Sequence, residues 1–360
     1  MIKFDTPDTK SALQAKFDAQ KIAFGPVVFQ AVVTMRDLGI LGCLHGGRRG
    51  GISAEAIAEQ LELSRYGVKT LLEMGLSAEV VRKEEERYFL TKTGFFLLND
   101  ELTRVNIDFV NDVCYQGMAY LKDAITDNKP AGLKVFGDWH TIYEGLASLP
   151  DKVQDSWFRF DHFYSDLAFP KVLPLIFTRP VKKLLDVGGN TGKWAMSCVK
   201  YDPDVQVTIV DLPGQLASAR HNVEQAGLAE RIRYHNTNLL DANAVLPMDA
   251  DAIWMSQFLD CFSEDEIVSI LHRAAQAMHP DCSLYILETY WDRQRFEAGA
   301  FSLHATSLYF TCMANGNSKM YHSDEMRACI ARAGLQVVAQ VDEIGIGHTL
   351  MECRLSSAPG

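Results

Sequence analysis

The spacing of apolar residues divides the chain into two parts. Over roughly the first 125 residues they recur at helical spacing, and from about residue 181 they form short strand-like runs. The stretch 11–44 is interrupted at Gly25-Pro26, which predicts a break between two helices. Residues 51–94 then predict a helix, a turn at Leu63-Ser64, a second helix from Arg65 and a short hairpin around KEEER.

A helix, a turn, a second helix and a hairpin in this order form the winged-helix arrangement, which often reads DNA. Between Gly51 and Asp100, however, there are six basic and nine acidic residues. A DNA reader is expected to be basic there, so we interpret the module as a dimerisation domain. The helices around residues 29–44 carry more apolar surface than a small module is expected to bury, which predicts an extensive dimer interface.

Strand and helix patterns alternate in the second part, which predicts an α/β fold with a doubly wound parallel sheet. The last helix, at 323–334, is followed directly by two strands joined by EIGIG, which predicts a closing antiparallel hairpin. The predicted strands are 183–187, 205–211, 231–235, 251–258, 282–288, 335–342 and 348–355.

The segment LLDVGGNTGKWAM (184–196) combines a strand, a glycine-rich turn and the start of a helix. It is not a P-loop, because Val187 stands where the first glycine is required and Trp194 follows the lysine. The dinucleotide fingerprint also fails, because Asn190 and Lys193 occupy its second and third glycine positions. What remains is the pattern D-x-G-x-N-x-G. Asparagine tolerates left-handed backbone better than most residues, so the turn geometry is retained.

Strand two ends in Asp211, about twenty residues beyond this turn. An acid at that strand tip can accept hydrogen bonds from both ribose hydroxyls of a nucleoside. A glycine turn without a phosphate lysine, together with a ribose acid, fits S-adenosylmethionine, a nucleoside cofactor without phosphates.

Three segments carry a resemblance to a known family: LLDVGGNTG, VDLPG and the upstream stretch YLKDAITDNKPAGLKVFGDWHTIYEGLASLPDKV. Together they resemble the small-molecule O-methyltransferases of the caffeate and hydroxyindole type over nearly the whole chain. The resemblance implies a Rossmann-like class I methyltransferase sheet of seven strands and an amino-terminal winged-helix domain that dimerises. It implies cofactor contacts from Asp186, Gly188, Gly189, Asn190, Gly192, Asp211, Leu212, Asn238, Leu239, Ser256 and Gln257.

Two of these positions depart from the family pattern. Asn238 stands where the family usually has an acid that reaches the adenine amino group, and its amide oxygen can still accept that hydrogen bond. Ser256 stands where the family often has lysine.

The segment WMSQFLDCFSEDE (254–266) holds the candidate catalytic position. The family's general base is the histidine of a His-Asp-Trp sequence, and Asp260-Cys261-Phe262 occupies those positions here. Two further acids hold that histidine in the family. Glu288 matches one of them, and Met320 stands where the second is expected.

An aspartate is an unusual base for this chemistry. A phenol ionises near pH ~10, histidine near ~6.5 and aspartate near ~3.9, so an ordinary aspartate is weaker than histidine by about 3.5 kcal/mol. Burial close to Glu288 would raise the pKa of Asp260 and narrow that difference. Two alternatives stay open: catalysis mainly by proximity, and a structural role for Asp260 as a loop-start or capping acid.

The aromatic-rich helix DSWFRFDHFYSD (155–166) corresponds to a helix that lines the substrate pocket in the family, although such a stripe also suits plain core packing. His162 is a candidate for a displaced base. The predicted substrate residues are Trp157, Phe160, Asp161, His162, Tyr164, His304 and Met320.

Composition narrows the class of protein. The chain has 360 residues, 48% hydrophobic and 22% charged, and a net charge of -11 argues against sequence-independent nucleic-acid binding. We expect no signal peptide in MIKFDTPDTK and no membrane span, since no run of about 18 apolar residues occurs. The eight cysteines form no C-x-x-C pair, which predicts reduced thiols in a cytoplasmic protein and no metal site.

The sequence therefore predicts a homodimeric S-adenosylmethionine-dependent methyltransferase acting on a hydroxyl of a small aromatic, phenolic acceptor in secondary metabolism. Three alternatives stay open: C-methylation of a ring in pigment or polyketide tailoring, cofactor binding without methyl transfer, and a ligand-sensing regulator. The predicted domains are 1–125 (winged-helix dimerisation), 126–180 (helical linker contributing to the substrate pocket) and 181–360 (cofactor binding and methyl transfer).

Overall fold

The computed structural model describes residues 7–356. The segment MIKFDTPDTK, for which we expect no signal peptide, therefore lies partly outside the described residues. Within the described range the chain forms two compact units. One comprises residues up to 113 together with 155–160, and the other comprises 114–154 and the residues from 161 onward. The division lies near residue 113 rather than 125, and residues 126–154 pack with the carboxyl-terminal unit.

The amino-terminal unit is mainly helical, and its element boundaries follow the predicted pattern. The helix break falls at Phe24, and the second helix of the predicted pair begins at Arg65, where the Ser64 hydroxyl accepts a 3.0 Å hydrogen bond from the Gly67 amide. Its elements are α1 (Ala12–Ala23), α2 (Gly25–Asp37), α3 (Ile40–Gly46), α4 (Ala54–Gln60), α5 (Arg65–Ser77), β1 (Val81–Glu84), β2 (Arg87–Leu90), α6 (Lys92–Asn99) and α7 (Glu101–Phe109).

The apolar surface of this unit is distributed differently from the prediction. Much of the apolar stretch 29–44 is used by the unit's own core, where Met35, Ile40 and Leu41 are fully buried. Exposed apolar side chains are most frequent on α1, which buries none of its residues and leaves Leu13 82% and Ile22 80% exposed, and Val27 at the start of α2 is 58% exposed. Most of the predicted surplus therefore precedes the stretch 29–44.

The carboxyl-terminal unit carries the large sheet. Its helices are α8 (Leu121–Asp127), α9 (Ile142–Gly145), α10 (Asp151–Asp166, of which 155–160 pack with the other unit), α11 (Phe169–Ile176), α12 (Lys193–Tyr201), α13 (Pro213–Gln225), α14 (Glu264–Ala277), α15 (Glu297–Tyr309) and α16 (Ser323–Arg332). Its strands are β3 (Lys183–Val187), β4 (Gln206–Asp211), β5 (Ile232–Asn236), β6 (Ala252–Ser256), β7 (Ser283–Glu288), β8 (Leu335–Ile344) and β9 (His348–Leu355).

The sheet has the order β5-β4-β3-β6-β7-β9-β8, with five parallel strands and an antiparallel final hairpin. This confirms the predicted fold class. The central strands are apolar because helices cover both faces, and every residue of β7 is buried. Since β3, β4, β6 and β7 are parallel, their carboxyl ends meet at one edge, where ligands bind in open α/β sheets.

Two further features concern the described residues. Between residues 7 and 356, no single helix has the length and apolar composition needed to cross a membrane, and only α2 and α3 taken together, bent by 63°, meet that criterion. All eight cysteines are free thiols and seven of them are buried, as the sequence predicted.

Candidate active site

The glycine turn after β3 adopts the left-handed backbone that its sequence predicts. Gly188 and Gly192 have φ of 74° and 80°, and Asn190 has φ of 47°. The Gly188 amide donates a 2.9 Å hydrogen bond to the carbonyl of Val210 in β4. A side chain at Gly188 would overlap the ring of Phe258, so the turn lies directly against the segment that follows β6.

Asp211, at the end of β4, holds this turn in place. Its Oδ2 accepts a 2.8 Å hydrogen bond from the Asn190 amide, and its Oδ1 accepts one of 2.7 Å from the Leu212 amide. Burial raises the pKa of Asp211, and these two amides partly oppose that shift. Each carboxylate oxygen keeps a second acceptor position, so both can still receive a ligand hydroxyl.

A cleft lies beside the turn, between the end of α10, the start of α12 and the end of β6. It brings together six of the predicted cofactor residues and two of the predicted substrate residues. These are Asp186, Gly188, Gly189, Asn190, Ser256 and Gln257, with Asp161 and His162.

The remaining predicted cofactor residues lie along neighbouring strand ends. Gly192 leads into α12, and Leu212 is 37% exposed beside Asp211. Asn238 is exposed, and its side chain accepts a 3.0 Å hydrogen bond from the Leu240 amide. The Leu239 side chain packs in the hydrophobic core.

The buried atoms Asp186 Oδ2, Ser256 Oγ and Trp194 Nε1 on the cleft lining have no hydrogen-bond partner among the described residues. Burial, reinforced by nearby Asp211, raises the pKa of Asp186 to about 8. This carboxyl therefore holds a proton at pH 7 in the cofactor-free protein, and a cationic group bound beside it would favour its charged form, next to the Ser256 hydroxyl and the Trp194 indole N–H. This set fits the charged methionyl end of S-adenosylmethionine. The neighbouring Lys193 pairs with Asp166 at 2.8 Å.

Asp260 lies on a single helical turn, Leu259–Cys261, just beyond β6, and is only 5% exposed. The Cys261 thiol donates to Asp260 Oδ1 across 3.5 Å, and the Tyr143 hydroxyl donates in turn to Cys261 Sγ. Burial raises the pKa of Asp260 to about 6, and the Cys261 hydrogen bond opposes that shift.

Glu288, at the end of β7, supports the same turn. Its Oε1 accepts hydrogen bonds of 3.0 Å and 2.8 Å from the amides of Phe258 and Leu259, while its buried Oε2 has no hydrogen-bond partner. Burial and the nearby Asp260 hold the pKa of Glu288 well above its usual range. Met320 is buried, and its sulfur accepts from the Thr289 hydroxyl at 3.7 Å, so an uncharged contact stands where the family pattern has a second acid.

Helix α10 divides its predicted substrate residues between the two units. Phe160 stacks on Phe109 at 3.9 Å, and the buried Trp157 belongs to the same amino-terminal unit. Asp161 and His162 belong to the other unit and line the cleft, with His162 Nε2 3.9 Å from Asp161 Oδ2.

The surroundings of these residues determine their protonation. Burial and Asp260 raise the pKa of Asp161 to about 7, with Lys193 opposing, and burial lowers the pKa of His162. Tyr164 is half-buried against Phe163, with ring centroids 6.3 Å apart. His304 is exposed and packs against Trp291 at 5.0 Å.

Sequence reasoning missed four residues of this region: Tyr143, Cys261, Trp194 and His348. Cys261 could have been predicted from the sequence, because it occupies the central position of the triplet that aligns with the family's His-Asp-Trp. Tyr143 comes from short helix α9 and His348 from the last strand, and only the fold brings them to the carboxyl edge. Among residues 7–356, no group of three or more histidine, cysteine or acidic side chains is arranged to hold a metal ion.

Comparison with known proteins agrees with this geometry. The family model of the O-methyltransferase domain matches residues 118–336, and that of the Dimerisation2-like domain matches residues 16–88. An L-tyrosine C(3)-methyltransferase of Streptomyces lavendulae is 21% identical over 87% of this chain and 85% of its own. Aclacinomycin 10-hydroxylase RdmB of Streptomyces purpurascens is 24% identical over 92% of this chain and 77% of its own.

Among solved structures, the apo S-adenosylmethionine-dependent methyltransferase SibL is 25% identical, covers 94% of this chain and 99% of its own, and has a TM-score of 0.72. The fold and the cleft thus define a class I methyltransferase that uses S-adenosylmethionine. The chain belongs to the O-methyltransferase domain family.

Proposed function

We propose that this methyltransferase transfers the methyl group to a hydroxyl of a small aromatic, phenolic acceptor, with Asp260 as the general base. The observation that carries the proposal is the position of Asp260. It is buried at the carboxyl edge of the sheet, on a turn fixed by Glu288, and that turn follows directly from cleft residues Ser256 and Gln257. The cofactor, when bound, supplies an electrophilic methyl group on its sulfonium.

The residues of the chain then have separable roles. Asp211 and the glycine turn hold the nucleoside, and Asp186, Ser256 and Trp194 face its charged end. Asp260 takes the hydroxyl proton as the new oxygen–methyl bond forms. A pKa of about 6 leaves this carboxylate charged at pH 7 while making it a stronger base than an ordinary aspartate. The pKa of Asp260 is still below that of an ordinary phenol, so the site favours acceptors whose hydroxyl has a lowered pKa.

A second candidate reaction is methylation of a ring carbon ortho to a hydroxyl. It is supported by the similarity to the L-tyrosine C(3)-methyltransferase. Removal of the phenolic proton by Asp260 would activate that carbon as well, so the same site suits both reactions. Binding of the cofactor without methyl transfer is the third possibility, and the similarity to aclacinomycin 10-hydroxylase keeps it open.

Mass spectrometry of products from a panel of phenols with methyl-labelled cofactor distinguishes these possibilities. We expect label on oxygen, released by ether cleavage. Label retained on a ring carbon would support the second reaction. Tight cofactor binding without label in any product would contradict methyl transfer to this class of acceptor.

For the amino-terminal unit we propose a winged-helix module that forms a homodimer in the cytoplasm. The match to the Dimerisation2-like domain and the exposed apolar side chains of α1 support this assembly. Light scattering at micromolar concentration should give a dimer, and Leu13→Glu combined with Ile22→Glu should shift it toward monomer. Tyr66→Glu, which changes an equally exposed side chain on α5, serves as the control. A monomeric wild type would contradict the proposal.

A further inference from the structure

His348 is a buried histidine for which the proposed reaction has no role. It begins β9, directly after Gly347, and its side chain is fully buried. Burial lowers the pKa of His348 to about 4, so the imidazole is neutral at pH 7, and its Nδ1 has no hydrogen-bond partner within residues 7–356. A neutral ring has one N–H donor and one acceptor nitrogen, and its neighbours decide which is which.

The neighbour of the ring is Gln257. His348 Nε2 lies 3.3 Å from Gln257 Oε1, across 91 positions of sequence. Because an amide oxygen only accepts, this geometry places the imidazole proton on Nε2. The Gln257 carbonyl oxygen is thereby held toward β9, which leaves its NH₂ group as the polar atom facing away from the strand.

Gln257 lines the cofactor cleft and has an unusual backbone. It follows the last residue of β6, its φ is 45°, and its amide donates a 3.0 Å hydrogen bond to the carbonyl of Leu287 in β7. Left-handed backbone is unfavourable for glutamine and persists only where the surroundings fix it. With the backbone fixed in this way, the rotation of the side-chain amide is the main freedom left, and His348 restricts it.

We propose that His348 is a positioning residue that orients the Gln257 amide so that its NH₂ group donates a hydrogen bond to the cofactor bound in the cleft. The inference rests on the proposed function, because it places the cofactor beside Gln257. In this way the last strand of the sheet influences ligand binding indirectly, because His348 contacts Gln257 and Gln257 contacts the ligand.

The test measures the dissociation constant of S-adenosylhomocysteine by calorimetry, which requires no turnover. His348→Leu removes the donor, and Gln257→Leu removes the amide. Each should weaken binding about tenfold, the equivalent of one hydrogen bond. The double variant should also lose about tenfold rather than a hundredfold, because both changes remove the same contact. His348→Gln, whose amide nitrogen reaches the Nε2 position, should recover most of the affinity.

Thr349→Val is the matched control. It removes a partly buried 2.8 Å hydrogen bond to Asp342 from the next residue of β9, so it should lower stability without changing the dissociation constant. The imidazole ¹⁵N spectrum should show the Nε2-protonated tautomer. Unchanged affinity in His348→Leu, multiplicative losses in the double variant, or the Nδ1-protonated tautomer would each overturn the inference. A wild type that fails to bind S-adenosylhomocysteine would instead contradict the cofactor assignment on which it rests.

Discussion

Glu288 accepts a 2.8 Å hydrogen bond from the backbone amide of Leu259 and so fixes the turn that carries Asp260 to the end of β7. The contact joins two parts of the sequence 29 positions apart and buries two carboxyl groups side by side. Because two neighbouring carboxylates cannot both be charged easily in a buried site, Asp260 raises the affinity of Glu288 for a proton. This relationship underlies the catalytic predictions.

Asp260→Asn keeps the shape of the side chain and removes its basicity. If Asp260 is the base, turnover should fall about 100-fold while the affinity for the cofactor is unchanged. In the wild type the rate should rise with pH through about 6, because the carboxylate form is the active one. Near-normal turnover in Asp260→Asn would assign Asp260 a structural role and direct attention to His162 or to catalysis by proximity.

Cys261 should adjust the basicity of Asp260. Its thiol donates to Asp260 Oδ1 and thereby lowers the pKa of that carboxyl. Cys261→Ala removes the donor, so the rising limb of the pH–rate profile should move to higher pH. Cys261→Ser keeps a donor and should leave the limb near its original position. Coincident profiles for all three proteins would show that the thiol has no influence on the reaction.

Glu288→Ala should destabilise the fold, because it leaves the partly buried amide of Phe258 and the buried amide of Leu259 without an acceptor. At about 1–3 kcal/mol for each unsatisfied group, the free energy of unfolding measured in urea should fall by about 2–6 kcal/mol. Glu288→Gln keeps a carbonyl acceptor and should lose much less. Equal losses in the two variants would contradict a stabilising role for these two hydrogen bonds.

Asp211→Ala should weaken the binding of S-adenosylmethionine by about 2 kcal/mol or more, the scale of charge-assisted hydrogen bonds. The loss combines the ribose contacts with the 2.8 Å hydrogen bond that holds the Asn190 amide. Asp204→Ala, an exposed acid before the other end of β4, removes the same charge and should have little effect. Calorimetry that finds equal affinity in wild type and Asp211→Ala would remove Asp211 from the cofactor site.

Asp186 should make the cofactor-free protein less stable as pH rises. In the folded state its pKa is about 8, whereas an unfolded aspartate loses its proton near pH ~4. Between these values the folded state binds more protons, so the free energy of unfolding decreases with increasing pH.

His348 has the opposite effect, because its folded pKa of about 4 lies below the unfolded value near ~6.5. The two effects oppose each other only below about pH 6.5. From there to pH 8 Asp186 alone should lower the free energy of unfolding by about 2 kcal/mol, so the slope of Asp186→Asn should be shallower than that of the wild type by this amount. Parallel slopes for the two proteins in urea titrations at several pH values would contradict a buried, proton-binding Asp186.

The sequence by itself determined the local structure. Alternating apolar runs located the strands to within a few residues, and β3 and β9 matched their predicted bounds, because the pattern of a buried strand is set by its own side chains. The glycine turn could also be predicted from its own residues, since the left-handed backbone at Gly188 and Asn190 favours those residue types. Strand-end acids such as Asp211 and Asp260 were also found, because each ends or follows an apolar run.

Only the tertiary structure decided which groups meet. No periodicity pairs His348 with Gln257 or Tyr143 with Cys261, because those contacts depend on how distant strands and helices pack. The environment of a carboxyl is likewise a property of the folded state, since desolvation, and not residue type, raises the pKa of Asp260 and Asp186. For the same reason the apolar surplus of the amino-terminal helices was visible in the sequence, but which helix exposes it was decided by the packing of the unit's own core.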